Sequence, residues 1–226
     1  MTFIPTLDDA PRRPRIPRTL DPIEVRVLGS LMEKQLSTPE YYPLTLNALV
    51  AACNQKSNRE PVLELTEQEI QRALDRLQDE KLVWRVMGGR AVRFDHNLDN
   101  VWHLKRPEKA VLTLLFLRGP QTAGELRGRS DRLQSFDSVS EVEELLREMR
   151  EHSEPLVREL PRRPGQKEER WAHTVGGAVV DTVPAAHEEH EPRAAGEPLS
   201  ARVQRLEEQV ATLTEELRAL KASLGA

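Results

Sequence analysis

Across LVWRVMGGRAVRFDH, residues 82–96, the spacing of apolar side chains switches from every third or fourth position to every second. Three helical patterns precede this stretch, and Gly88-Gly89 divides the alternating one, so a two-stranded hairpin follows three helices. That order limits the fold to very few choices and predicts a winged helix, a helix-turn-helix variant.

The helix starts are written in capping residues. Asp21-Pro22-Ile23-Glu24 offers a carboxylate cap, a preset φ and a reciprocal glutamate, and Ile23, Val27, Leu28, Leu31 and Met32 then form an apolar stripe. A short second helix runs from Thr45 through Leu46, Leu49 and Val50 to about Cys53. Thr66-Glu67-Gln68-Glu69 is a capping box opening the third, with Ile70, Ala73, Leu74 and Leu77 inward. In the hairpin, Leu82, Trp84 and Val86 are expected to share the inner face with Val92, Phe94 and His96. That requires an odd loop centred on Gly89 and sets Arg85 opposite Arg93, with Arg90 near the tip. Opposed like charges cost some tenths of a kcal/mol, so either an anion sits between them or the side chains splay into water.

The order then recurs. A helix covers about 108–117, Gly119-Pro120 breaks it, and capping boxes at Thr122–Glu125 and Ser138–Glu141 open two more. A second hairpin is expected at about 156–160 and 170–174, around the tip PRRPGQK. The fold class is therefore mostly α with small β-hairpins, an α+β chain of tandem winged helices. The domains read as a flexible basic arm 1–20, winged helices 21–104 and 105–175, a disordered linker 176–198 and a coiled coil 199–226.

The coiled coil rests on heptads. Leu199, Leu206, Leu213 and Leu220 occupy d and Val203, Val210, Leu217 and Leu224 occupy a. Early β-branched a positions with leucine at d favour a parallel pair, which predicts a homodimer; an amphipathic helix docked on its own domain is the alternative.

Composition narrows the function classes. The net charge is −4, and no segment is broadly cationic. No apolar run is long enough to span a bilayer and no signal-peptide core is visible, which predicts a cytoplasmic protein without membrane contact. The single Cys53 excludes an internal disulfide and paired-cysteine zinc sites. His187 and His190 lack companion ligands, so no metal is expected. No phosphate-cradling glycine loop or nucleophile motif appears, so neither enzyme activity nor a cofactor is expected.

YYPLTLNALVAACNQKSNREPV, WRVMGGRAVRFDH and LRGPQTAGELRGRSDRLQSFDSV together resemble the YceH-like family of bacterial proteins. The resemblance spans about residues 20–175 and implies tandem winged helices. It implies no catalytic residue and no cofactor.

Two functions follow as expectations. The first is a DNA-associated regulator or nucleoid factor, binding phosphates through Lys56, Arg59, Arg72, Arg76, Arg85, Arg90 and Arg93, and through Arg127, Arg129, Arg162, Arg163 and Lys167. Its difficulty is that residues 67–81 carry five acids against three bases and 139–152 five against two. Carboxylates facing a groove lined with phosphates are repelled, so wing-led binding fits better than a helix in the major groove. The alternative is a protein-interaction scaffold without nucleic acid. The loop ACNQKSNREPV, residues 52–62, is too long for a simple helix-turn-helix connection. Its Lys56 and Arg59 have no structural task visible in sequence.

Overall fold

A helix apolar on most of its faces must be covered on every side, and the chain contains two such helices. They are α1 (Pro22–Ser37) and α5 (Arg106–Arg118), and they pack on one another at the centre of the protein. The computed structural model describes residues 14–88, 91–162 and 168–177. Mixed α and β in content, it is mostly helical, with small antiparallel sheets. The heptad positions Leu199 to Leu224, the linker and the tip residues Arg90, Arg163 and Lys167 lie outside the described residues.

After α1 come β1 (Leu44–Thr45), α2 (Leu46–Cys53), α3 (Glu67–Asp79), β2 (Val83–Gly88), β3 (Ala91–His96) and a one-turn α4 (Leu98–Val101). The second half adds α6 (Ala123–Ser130), α7 (Val139–Glu151), β4 (Val157–Leu160) and β5 (Arg170–His173) after α5. The caps act as the sequence predicts at Asp21, Thr66 and Thr122, each closing a reciprocal box. Ser138 makes half of one: its hydroxyl accepts from the Glu141 amide, but the Glu141 carboxylate accepts from Asp137 N–H instead.

The halves repeat in strand order as well. β1, β3 and β2 form a sheet in that order, so the strand before α2 pairs with the last strand of its half. In the second half Gln121 and Trp171 exchange backbone hydrogen bonds of 3.0 and 2.8 Å, so a single residue takes the place of β1 beside β5. Both first helices contribute to one hydrophobic core that runs from Leu31, Ile70 and Leu74 to Leu112, Leu126 and Leu146. That core continues across residues 104 and 105, where the sequence predicts a domain boundary.

Contact between α1 and α5 is close at Gly29. A Cβ there would lie 2.9 Å from Phe116 Cβ and 3.0 Å from Leu117 Cδ2. The leucine tip can turn away, but the Phe116 Cβ is fixed to the backbone. Gly29→Ala gains about 1 kcal/mol in helix propensity and costs about 2–3 kcal/mol in overpacking. A net loss of about 1–2 kcal/mol is expected in urea unfolding of the full chain; an unchanged midpoint would mean that α1 and α5 separate easily.

Two expectations are corrected. Residues 14–20, read as part of a flexible arm, are laid against the body: Leu20 N–H donates to Val175 O at 2.9 Å, Trp102 Nε1 donates to Arg15 O at 2.6 Å, and Arg15 N–H donates to Glu154 Oε2 at 3.0 Å. Residues 1–13 lie outside the described residues. The hairpin register also differs by one. Val83 pairs with His96, Arg85 with Phe94 and Met87 with Val92, so Arg85 does not oppose Arg93. Gly88 pairs with Ala91, which leaves an even number of residues between the strands. That parity puts Val83, Phe94 and His96 on the core side and turns Trp84 and Val86 to the outer face, while Leu82 is buried from the turn before β2.

Among the described residues no helix is long and apolar enough to cross a membrane.

Candidate functional site

Each half forms a cleft between its second and third helices and its hairpin, and the two clefts differ in chemistry. In the first half a cavity of about 370 Å³ has Thr45, Asn47, Gln71 and Arg85 at its polar side and Val92 and Phe94 on the apolar side. In the second a cavity of about 430 Å³ is crossed by ion pairs: Arg147 with Glu143 at 3.1 Å, Arg150 with Glu159 at 2.6 Å and Arg162 with Glu169 at 2.7 Å. Arg150 also covers the Trp171 ring at 5.6 Å. A hydrogen bond that Glu159 donates to the Glu169 carboxylate raises the Glu159 pKa, while accepting that bond, together with the Arg162 guanidinium, lowers that of Glu169. The second cleft satisfies its own charges. The first leaves amides and apolar carbons facing solvent.

Beside the first cleft the hairpin exposes large apolar side chains. Trp84 is 54% exposed, Met87 83% and Val92 41%. Met87 and Val92 are cross-strand partners on the cleft face, and Trp84 stands with Val86 on the outer face. The register error hid this surface from sequence reading, because it assigned Trp84 to the core.

The arginines expected to bind phosphates are mostly engaged within the protein. Arg76 pairs with Asp21 and, at 2.7 Å, with Glu24. Glu24 is fully buried; although burial opposes it, donation from Arg18, Arg76 and the Asp21 amide lowers its pKa to about 2. Arg85 pairs with Asp75 at 2.9 Å, and Arg93 donates to Pro43 O at 2.7 Å. In the second half Arg127 donates to the carbonyls of Phe136 and Asp137, and Arg129 donates to Gln121 Oε1 and pairs with Glu125. Arg162 is taken by Glu169. Lys56 and Arg72 remain exposed, on the loop and on α3.

Arg59 is the largest departure from the sequence reading, which gave it no structural task. Its side chain is 0% exposed. Nε and Nη2 donate to Ala52 O at 3.1 and 2.9 Å, holding a carbonyl at the end of α2, while both terminal nitrogens bind the Glu33 carboxylate at 3.1 and 2.5 Å. Around it the loop closes on itself and on the second half. Asn54 makes a two-way bond to the Leu65 backbone, both arms 2.8 Å, and Glu60 N–H donates to Leu117 O at 2.8 Å. Asn58 takes the left-handed conformation at φ 60° and accepts from Arg118. ACNQKSNREPV therefore fastens the end of α2 to the end of α5. Burial pushes the neighbouring Cys53 thiol up to about 11, which keeps it protonated and unreactive.

A second polar cluster joins the halves on the other side of α1. Lys109 Nζ donates to Gln35 Oε1 at 2.6 Å and Asp99 Oδ2 at 2.7 Å. His96 Nε2 lies 2.9 Å from the same Gln35 oxygen, and its Nδ1 accepts from Leu98 N–H at 3.2 Å, which fixes the Nε2-protonated tautomer. Tyr42 donates its hydroxyl to Asp95 at 2.6 Å and accepts from His96 N–H.

Comparison with known proteins agrees with this architecture being shared. The family model described as "Protein of unknown function, DUF480" matches residues 20–166, from the cap of α1 to the second hairpin. A UPF0502 protein of Azoarcus sp. (strain BH72) is 46% identical over 219 residues, covering 96% of each chain. One from Shewanella halifaxensis (strain HAW-EB4) is 45% identical over 210 residues, covering 89% of this chain and 98% of its own. One from Geobacter metallireducens is 52% identical over 160 residues, covering 70% and 73%. The match begins at the residues that cap α1 and includes every helix and strand described except β5, and on that ground the chain belongs to the DUF480 family of bacterial UPF0502 proteins.

Proposed function

We propose that this chain is a tandem winged-helix protein that works by docking another protein, without catalysis, and that hairpin β2–β3 is its main contact. The winged-helix reading is supported by the element order helix, strand, two helices and hairpin, and by the sheet order β1-β3-β2. The observation that carries the docking reading is the exposure of Trp84, Met87 and Val92 on a hairpin where Arg93 is held by Pro43 O and Arg85 is shared with Asp75. Large apolar side chains exposed on both faces of one hairpin favour a protein partner over a phosphate backbone. Against catalysis stands the use of both His96 nitrogens within the protein, which leaves neither to carry a proton to a substrate. The heptads of 199–226 would pair two copies, presenting two hairpins to a partner and raising avidity.

DNA binding is the second reading. Lys56 and Arg72 are exposed, and residues 84–94 carry three arginines and no acid. Fluorescence anisotropy of the full chain with a labelled random duplex, across about 50–200 mM salt, separates the two. The docking reading expects no saturable binding at the upper end and no steep salt slope. Loss of affinity by about tenfold or more across that range would establish a phosphate-binding surface and overturn it. On the protein side, partners retained by the wild-type chain at high salt should be lost when Trp84 and Met87 are both changed to serine.

A further inference from the structure

We propose that the free edge of β2 is a strand-addition site, and that its occupant is an extended protein segment alternating apolar and acidic side chains. The inference rests on the docking reading and specifies its partner. β2 is the terminal strand of its sheet, and from Trp84 to Gly88 its outer-edge backbone groups meet no partner among the described residues. The strand runs six residues in unbroken register with β3, giving an edge of about 20 Å. Exposed edges in native proteins are commonly blunted by charged side chains, proline or a bulge; β2 has no proline or bulge, and its one charge, Arg85, is paired with Asp75.

Side chains along the edge define what fits. Trp84 and Val86 lie on the outer face and Arg85 on the other, so an added strand would place apolar residues beside the first two and a carboxylate beside the arginine. Arg85 already holds a carboxylate, that of Asp75, across a pair in which both side chains are about half exposed. Such a pair exchanges readily, and a partner's acid can replace Asp75. The hairpin 83–96 carries three arginines against one acid, Asp95, which accepts from the Tyr42 hydroxyl, and this balance favours an acidic segment.

A second copy of this chain fits less well. Antiparallel pairing of β2 about a twofold axis at Arg85 sets that guanidinium against its own image, and an axis at Val86 faces Trp84 with Gly88. A nucleic acid would use the arginines and leave the backbone edge and Trp84 unanswered.

The test uses the full chain and two end-blocked peptides, VEVEVE and VKVKVK, followed by Trp84 emission, since Trp102 and Trp171 are buried. VEVEVE should bind tighter than about 1 mM and shift Trp84 emission to the blue, and VKVKVK should bind at least tenfold more weakly. Full N-methylation of VEVEVE keeps its side chains and removes its amide donors, and should cost at least tenfold. Arg85→Glu should reverse the preference between the two peptides. If the N-methylated peptide binds as tightly as the parent, strand addition is overturned while side-chain docking stands. No binding of VEVEVE also overturns it, and steep duplex binding in the same preparation would then remove the docking reading as well.

Discussion

Replacing Arg59 with methionine should destabilise the full chain by about 3–4 kcal/mol, read as a lower urea midpoint and a drop in Tm of about 6–16 °C. The size follows from burial on both sides of the pair. The Arg59 side chain is 0% exposed and that of Glu33 13%, so removing the guanidinium strands a carboxylate in a place that water barely reaches. It also strands Ala52 O, which receives two of its N–H groups. Methionine preserves much of the volume, so the loss reports charge and hydrogen bonding more than a cavity. Changing Glu33 to methionine as well should recover at least about 1 kcal/mol, because the stranded charge is gone. A loss below about 1 kcal/mol in the single variant would mean that Arg59 is solvated, and would return it to the set of available phosphate ligands.

Arg59 also shows where sequence reading stops. Its partner Glu33 is 26 residues away on α1, and nothing in local spacing links them. The Asn54 pairing to Leu65 and the Glu60 bond to Leu117 are similarly remote, so a loop that looks chemically rich is rich because it has three segments to hold together. Capping boxes are different. Asp21 with Glu24 and Thr66 with Glu69 are three residues apart, and the physics that makes them work acts within one helical turn, which a sequence displays in full.

The hairpin falls between these cases. Its existence was legible from alternation about two glycines, but LVWRVM offers two phases of apolar residues, Leu82-Trp84-Val86 and Val83-Met87, and alternation cannot choose between them. The choice came from the parity of the turn and from α3, whose Leu77 O receives Leu82 N–H and fixes where the strand begins. One residue of slip moved Trp84 from the core to the surface, and with it the best candidate for a contact site. Expectation and structure therefore differ most at the residues that bear most on function.

Acid should unfold the protein well above the carboxylate range, and His96 should be a main cause. Burial lowers its pKa from the ordinary 6.5 to about 4, against the pull of Asp99 and with the push of Lys109. The hydrogen bonds agree with the direction, since Nδ1 accepts from Leu98 N–H and has no room for a proton. A histidine whose folded pKa is depressed is held neutral, so its contribution is complete above pH 6.5 and is lost as pH falls from there towards 4. At about 1.4 kcal/mol per pH unit across that window, the loss approaches 3 kcal/mol. His173, lowered by burial to about 4 as well, adds to the same window, whereas the Glu24 contribution persists until pH falls below 4.5 towards 2. Urea midpoints should therefore fall steeply between pH 6.5 and 4.5. His96→Gln, which keeps a donor for Gln35 and an acceptor for Leu98, should flatten that fall while losing some stability at pH 7. If the slope of the variant matches that of the wild type, His96 is not neutral in the fold, and the joint it makes with Gln35 and Lys109 is not what holds the halves together in acid.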